Sequence, residues 1–142
     1  MSVIVLDTNV ISEAMRGPRA DDRVIAWLRA LPETPVTTVI NRAEILAGVA
    51  LLPEGARRER LGAMATAAFS TLGVVLPFVP EAADHYADIV AARRGAGVPI
   101  GSVDALIAAI CRTVGATLAT RDVEDFAGVG LPIINPWTLH GS

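Results

Sequence analysis

Asp7, Glu44, Asp104 and Asp122 stand where a folded chain would gather their carboxylates. Asp7 closes an apolar, β-branched run at 3–6, and Asp122 follows the run at 117–119 after Thr120 and Arg121. In open parallel sheets ligands bind beyond the carboxyl ends of the strands, so both aspartates fall where chemistry is to be sought. Glu44 and Asp104 lie in the opening turns of expected helices, whose N-termini face that same edge in such a fold. Carboxylates gathered without basic partners repel and raise one another's pKa, so a cluster of this kind calls for a cation. Hard oxygen ligands select Mg²⁺ or Mn²⁺ over softer metals. Such a site can activate water and neutralise the charge of a scissile phosphate, with ions ~3.5–4 Å apart where two bind. In-line phosphodiester hydrolysis, with the metal stabilising the departing 3′ oxygen, needs no histidine and no nucleophilic side chain.

Each acid taken singly has a plainer reading. Asp7 suits the N-cap of the helix after the first strand. Asn41-Arg42-Ala43-Glu44 has the form of a capping box, with Glu44 reaching back to a backbone amide. Asp104 complements a helix dipole, and Asp122 suits the cap of the turn containing Glu124 and Asp125. Capping accounts for acids near helix starts. It does not account for a whole-chain order of strand-Asp, helix-Glu, helix-Asp, strand-Asp.

The elements that must position these residues are legible from hydrophobic period and breakers. Residues 3–6 read as a strand buried on both faces. Val10, Ile11 and Ala14 then fall at helical spacing until Gly17-Pro18, and a second helix is expected over 21–31, ended by Pro32 and Pro35. A strand at 36–38 precedes two helices, 40–52 and 54–72, expected to pair as a hairpin. Residues 74–76 form a third strand candidate, Pro80 opens a helix that ends near Gly95, and 102–115 is the most apolar helix. Strands at 117–120 and 132–134 complete an alternation that indicates an α/β fold: one domain, with a central parallel sheet flanked by helices.

Composition narrows the function. The chain is 52% hydrophobic, yet its apolar runs are too short to cross a bilayer, so no membrane association is expected. Asp7 interrupts the opening apolar run before a secretory leader could form, which points to the cytoplasm. Cys111, the single cysteine, sits in an apolar run and reads as a core thiol. So apolar a small domain is expected to cover part of its surface with a second copy. The net charge of −3 disfavours binding nucleic acid by overall charge but conceals local distribution. All twelve basic residues are arginine, which excludes mechanisms built on a catalytic ammonium group. Arg16, Arg19, Arg42, Arg93, Arg94 and Arg121 are candidates to flank the cleft, and Arg121, beside Asp122, is the expected phosphate contact. Arg57-Arg58-Glu59-Arg60 reads as a solvated, mixed-charge helix face. His85 and His140 have no partner at metal-ligand spacing, and Trp27 and Trp137 read as packing residues.

Leu6-Asp7-Thr8-Asn9-Val10-Ile11-Ser12, Ala43-Glu44, Asp104-Ala105-Leu106-Ile107-Ala108-Ala109 and Ala119-Thr120-Arg121-Asp122 together resemble the PIN domain of VapC-type toxins. The run DTNVISE at 7–13 and Asn135-Pro136-Trp137 resemble the FitB-like branch in particular. The resemblance covers essentially the whole chain, and so implies a single PIN-like nuclease domain over 1–142. It implies a metal-dependent endoribonuclease acting on RNA, the toxin of a type II toxin–antitoxin pair, dimeric and held inactive by a cognate antitoxin. Asp7, Glu44, Asp104 and Asp122 would then be the catalytic, metal-binding acids, with Mg²⁺ or Mn²⁺ as cofactor. Thr120 matches the polar residue beside the site, and Asn9 the asparagine that supports the first aspartate. Relatives often carry asparagine where Asp122 stands and rely on an acid matching Asp125. Both acids are present here, and Asp122, nearer the strand end, is the expected ligand.

Response-regulator receivers and haloacid-dehalogenase-type phosphatases also carry an aspartate after the first strand, but both use a lysine that this chain lacks. The phosphatases further want an aspartate where Asn9 stands. Cleavage of DNA or structured flaps would call for threading insertions that are missing. The remaining alternative is a non-catalytic PIN-like partner of a DNA-binding antitoxin, in which a retained cluster of unneutralised acids is an unexplained cost. The apolar helices of the first half are the expected dimer contact and part of the antitoxin surface.

Overall fold

Parallel strands cannot be joined by tight hairpins, and the chain meets this constraint with a pair of helices in each of its first crossovers. The structure is a computed structural model that describes residues 3–138. β1 (Ile4–Leu6) leads through α1 (Thr8–Met15), a 3-10 turn (Gly17–Arg19) and α2 (Asp22–Ala30) to β2 (Thr37–Thr38). The hairpin α3 (Val39–Ala50) and α4 (Ala56–Leu72) returns to β3 (Val75–Leu76), and α5 (Pro80–Gly95) and α6 (Ser102–Val114) lead to β4 (Thr117–Ala119). β5 (Ile133–Ile134) follows a helix-free loop.

The strands form a three-stranded parallel sheet, β1-β4-β5, and a parallel pair, β2-β3. A parallel bridge between Val5 and Val36 joins the two, with Leu6 N donating to Val36 O at 2.8 Å and Val36 N to Ile4 O at 2.9 Å. Spatially the order is therefore β3-β2-β1-β4-β5, with β1 and β4 in the interior. The expected α/β architecture is what the structure shows.

Strand alternation divides the core into two layers. Val5 and Leu118 face a cluster with Ile89, Ile107, Cys111 and Phe126, whereas Leu6 and Ala119 face Val10, Ile11, Ile45 and Phe69. Helix α6 is buried without a break from Ile107 to Cys111, and burial pushes the Cys111 thiol up to about 12, as befits an inert core residue. At its end Gly115 takes a left-handed conformation (φ +65°), and Ala116 N donates to Cys111 O at 2.9 Å, so the chain reverses directly into β4.

The loop between β4 and β5 carries Asp122 and Asp125, and a buried arginine shapes it. Arg93 donates through Nη1 to Asp125 O (2.7 Å) and Ala127 O (3.0 Å), and through Nε to Val98 O (2.6 Å). Arg93 is thus not a cleft residue, as its sequence position suggested. It lies at the C-terminal end of α5, with its guanidinium engaged by carbonyls that have no strand or helix to satisfy them. Replacing Arg93 with leucine strands these acceptors, so Arg93→Leu is expected to lower unfolding free energy by on the order of 3 kcal/mol. Urea denaturation checks this, and a midpoint matching the unsubstituted protein would contradict the assignment.

Candidate active site

Asp7 sits at the carboxyl end of β1, its backbone N donating to Ala119 O of β4 at 2.9 Å. Its backbone is extended (φ −71°, ψ 163°) and its carboxylate caps α1 by accepting from Thr8 N at 2.9 Å. Capping is only part of its role. The same oxygen accepts from Asn41 Nδ2 at 2.9 Å, and the other accepts from the Thr120 hydroxyl at 2.6 Å. Burial pushes the Asp7 carboxyl above its ordinary value, the bonds from Thr120, Thr8 and Asn41 oppose that rise, and the Asp122 charge adds to it, leaving the pKa raised.

Thr120, fully buried, is the hub of the β4 side. Besides donating to Asp7, its hydroxyl accepts from Asp122 N at 3.0 Å and from Asn9 Nδ2 at 3.2 Å. Asn9 also donates to Asp122 Oδ2 at 3.2 Å and accepts from Arg121 N at 3.1 Å. Asn9 therefore supports Asp7 through Thr120 rather than by a bond of its own, and clasps the loop that carries Asp122.

On the other flank the capping-box reading of Asn41 and Glu44 fails. The N-cap of α3 is Thr38, whose hydroxyl accepts from Asn41 N at 3.1 Å. Glu44, one turn further on, is exposed and accepts from the Thr8 hydroxyl at 2.6 Å. Asn41 is wholly buried, accepts from Thr38 Oγ1 at 2.7 Å, and donates to both Asp7 and Thr8. Sequence reasoning missed Asn41 as a site residue. Its place three residues before Glu44, on the same helical face, was the available signal.

Asp104, half-buried in the first turn of α6, accepts no hydrogen bond and forms no ion pair among the described residues. Burial first, then the charges of Asp7, Asp125, Glu44 and Asp122, push its carboxyl up to about 6. The four acids singled out in the sequence thus act on one another, and Asp125 joins them. Among the described residues no three of these groups yet stand close enough to clasp an ion. Glu44 is turned to Thr8 and Asp122 to Asn9, as expected of like charges with hydroxyl and amide donors within reach. Hard carboxylate oxygens, mutual repulsion and the absence of a cationic side chain paired to any of them among the described residues together fit a divalent cation.

Of the arginines expected at the cleft, Arg121 is exposed beside Asp122 with its guanidinium 5.1 Å above the Trp137 ring. Trp137 is itself buried, a packing residue as expected. Arg42 lies over Phe69 (5.3 Å), and Arg57 and Arg60, exposed on α4 as expected of a solvated face, line a groove together with Arg16 and Arg19. His140 lies outside the described residues.

Residues 4–130 match the PIN domain family. Over 95% of its length the chain is 42% identical to the VapC ribonuclease Y4jK of Sinorhizobium fredii, covering 98% of that protein. It is 39% identical to Toxin FitB of Neisseria gonorrhoeae over 95% of its length and 99% of the toxin. The solved structure of FitAB bound to an IR36 DNA fragment superposes with a TM-score of 0.88 at 38% identity, over 97% of this chain and 98% of the matched one.

The raised Asp104 pKa has a sign that can be checked in metal-free protein. The folded carboxyl holds its proton up to about pH 6, whereas the ordinary value is 3.8, so the folded state binds more protons between them. Its stabilising contribution is complete below the lower value and is lost as pH rises through the upper one. Thermal melting in chelator is expected to show stability falling across this window, and Asp104→Asn to flatten the fall. A wild-type curve that climbs through the window would contradict the assignment.

Proposed function

The chain belongs to the PIN-domain family, and on that premise we propose that it is a divalent-metal-dependent endoribonuclease, the toxin of a toxin–antitoxin pair. The observation that carries the reading is the unneutralised set Asp7, Glu44, Asp104, Asp122 and Asp125 at the carboxyl ends of β1 and β4. Asp7, Glu44, Asp104 and Asp122 hold Mg²⁺ or Mn²⁺, with Asp125 as a further carboxylate at the rim. The bound cation supplies charge neutralisation at a scissile phosphodiester and lowers the pKa of attacking water.

The chain's own residues set the rest. Thr120, Thr8 N and Asn41 fix the Asp7 carboxylate, which removes its rotational freedom before any ligand arrives. Asn9 keeps the Asp122 loop against α1. Asp104, protonated at acid pH without a cation, gives up its proton when one binds, so metal affinity rises with pH. Arg121 stands beside Asp122 as a contact for a substrate phosphate.

RNA as substrate is supported by the relative named a VapC ribonuclease, and a cognate antitoxin as partner by the FitAB structure. Exposed Val39, Leu46 and Leu51 on and beside α3 support a homodimer or antitoxin contact on the first-half helices. No described helix is long and apolar enough to cross a membrane. Action in the cytoplasm, on RNA present there, completes the proposal.

Purified protein with Mg²⁺ or Mn²⁺ is expected to cleave labelled RNA, and chelator to stop it. Asp104→Asn is expected to lower the rate by roughly 10²-fold or more. Thr120→Val, which leaves all the acids in place but releases Asp7, should cost about 10–100-fold. RNA left intact by the metal-loaded protein would sink the nuclease reading in favour of a non-catalytic partner. Isothermal titration of the same metals reports separately on binding.

A further inference from the structure

The groove that leads away from the carboxylates runs between the end of α1 and the α3–α4 hairpin. It is about 680 Å³ in volume and opens at Thr8 and Glu44. We infer that it is the track for the substrate's flanking phosphates, and that Arg16, Arg19, Arg57 and Arg60 grip a single-stranded polynucleotide on one side of the cut. This rests on the nuclease reading above and names where the strand lies.

All four arginines line this groove and all are exposed, with Glu44 as the one acid among the lining residues. Only Arg16 has a carboxylate partner among the described residues, Glu13 at 3.1 Å, so Arg19, Arg57 and Arg60 present free guanidinium groups. This local excess of positive charge stands against a net charge of −3 for the chain. Helix stability does not explain it. Arg57 and Arg60 occupy the opening turns of α4, where the helix dipole favours acids and disfavours cations, and the N-cap, Gly55, supplies no side-chain bond. Their spacing of three places both on one helical face, toward Arg16 and Arg19 on either side of the Gly17-Pro18 turn.

The guanidinium fork matches phosphate geometry. A polynucleotide whose scissile phosphate sits at the carboxylates carries a further phosphate at each nucleotide, and those beyond Glu44 pass over this strip. An acidic protein segment is the competing occupant, but it offers nothing for the carboxylate end of the same groove, where its charges would meet Glu44.

The test is binding of a labelled single-stranded RNA decamer in chelator, over a salt series. Arg57→Gln/Arg60→Gln is expected to flatten the dependence of log affinity on log salt by about 1.4, at ~0.7 for each phosphate no longer neutralised, and Arg19→Gln by about 0.7. With metal, the double variant should raise KM about tenfold while kcat holds, as weakened ground-state grip requires. Arg29→Gln, on α2 away from the groove, is the charge control and should leave the slope unchanged. A wild-type slope in both groove variants overturns the inference, as does loss of binding to a labelled poly-glutamate peptide with RNA binding intact. If the unsubstituted protein binds RNA but does not cut it, the nuclease reading fails, while the slopes still decide the groove. Arg19→Gln lies outside the helices named α1 to α6 and decides the question should the double variant misfold.

Discussion

The carboxylate of a residue only 5% exposed must find donors or lose its charge, and Asp7 finds them on its own neighbour and on two distant segments of the chain. Thr8 N belongs to the start of α1, Asn41 to the start of α3, and Thr120 to the exit from β4. The first bond starts α1 directly from β1, and the other two tie the end of β1 to the start of α3 and to the exit from β4, so one side chain sets the relative positions of three elements at this edge. The backbone bond from Asp7 N to Ala119 O holds β1 and β4 together at the same point. Loss of this carboxylate would therefore strip partners from Asn41 and Thr120, both fully buried, besides removing a charge from the site.

The rest of the electrostatics follows from leaving the acids without cationic partners. An α/β chain with twelve arginines could have neutralised this edge, but among the described residues it pairs none of them with these acids. Arg93 is buried under the β4–β5 loop, Arg42 and Arg121 lie over aromatic rings, and Arg16 pairs with Glu13. Glu13 in turn accepts from Asp21 N, anchoring the entry to α2. Burial, and then the uncompensated charges of the neighbouring acids, raise the pKa of Asp104, the half-buried member.

The strand and helix order was legible because the two periods are clean. Residues 3–6 are apolar without a break and α6 carries its apolar residues on every face, which is what interior elements require. The acids were legible for a related reason: Asp7 follows a strand run directly, and Asp122 follows one after two residues. What was not legible depends on contacts between distant segments. Asn41 reads as an ordinary helix-start residue until Asp7, 34 positions away, is placed beside it. Arg93 reads as a cleft candidate because nothing local announces that the loop at 121–132 will leave carbonyls for it to satisfy. Arg57 and Arg60 are exposed as their sequence suggests, but only the folding of α4 back along α3 brings them to the groove shared with Arg16 and Arg19.

Capping and chemistry, which the sequence presents as rival explanations of the acids, are one arrangement in Asp7 and divide the cluster mechanically. Asp7 is held by donors on both oxygens and has little freedom to move, whereas Asp104, in the first turn of α6, is placed by its helix and by burial alone. Glu44 and Asp122 are exposed and each is restrained by a single side-chain donor, Thr8 or Asn9. A hydroxyl or amide bond of this kind contributes about 1 kcal/mol net, less than a carboxylate gains by approaching a divalent cation, so it yields when one arrives. On the proposed reading, the donor-held Asp7 would fix where an ion sits, and Glu44 and Asp122 would be the carboxylates free to turn toward it. Repulsion turns the exposed acids toward hydroxyl and amide donors, whereas Asp7 is restrained by the elements that donate to it.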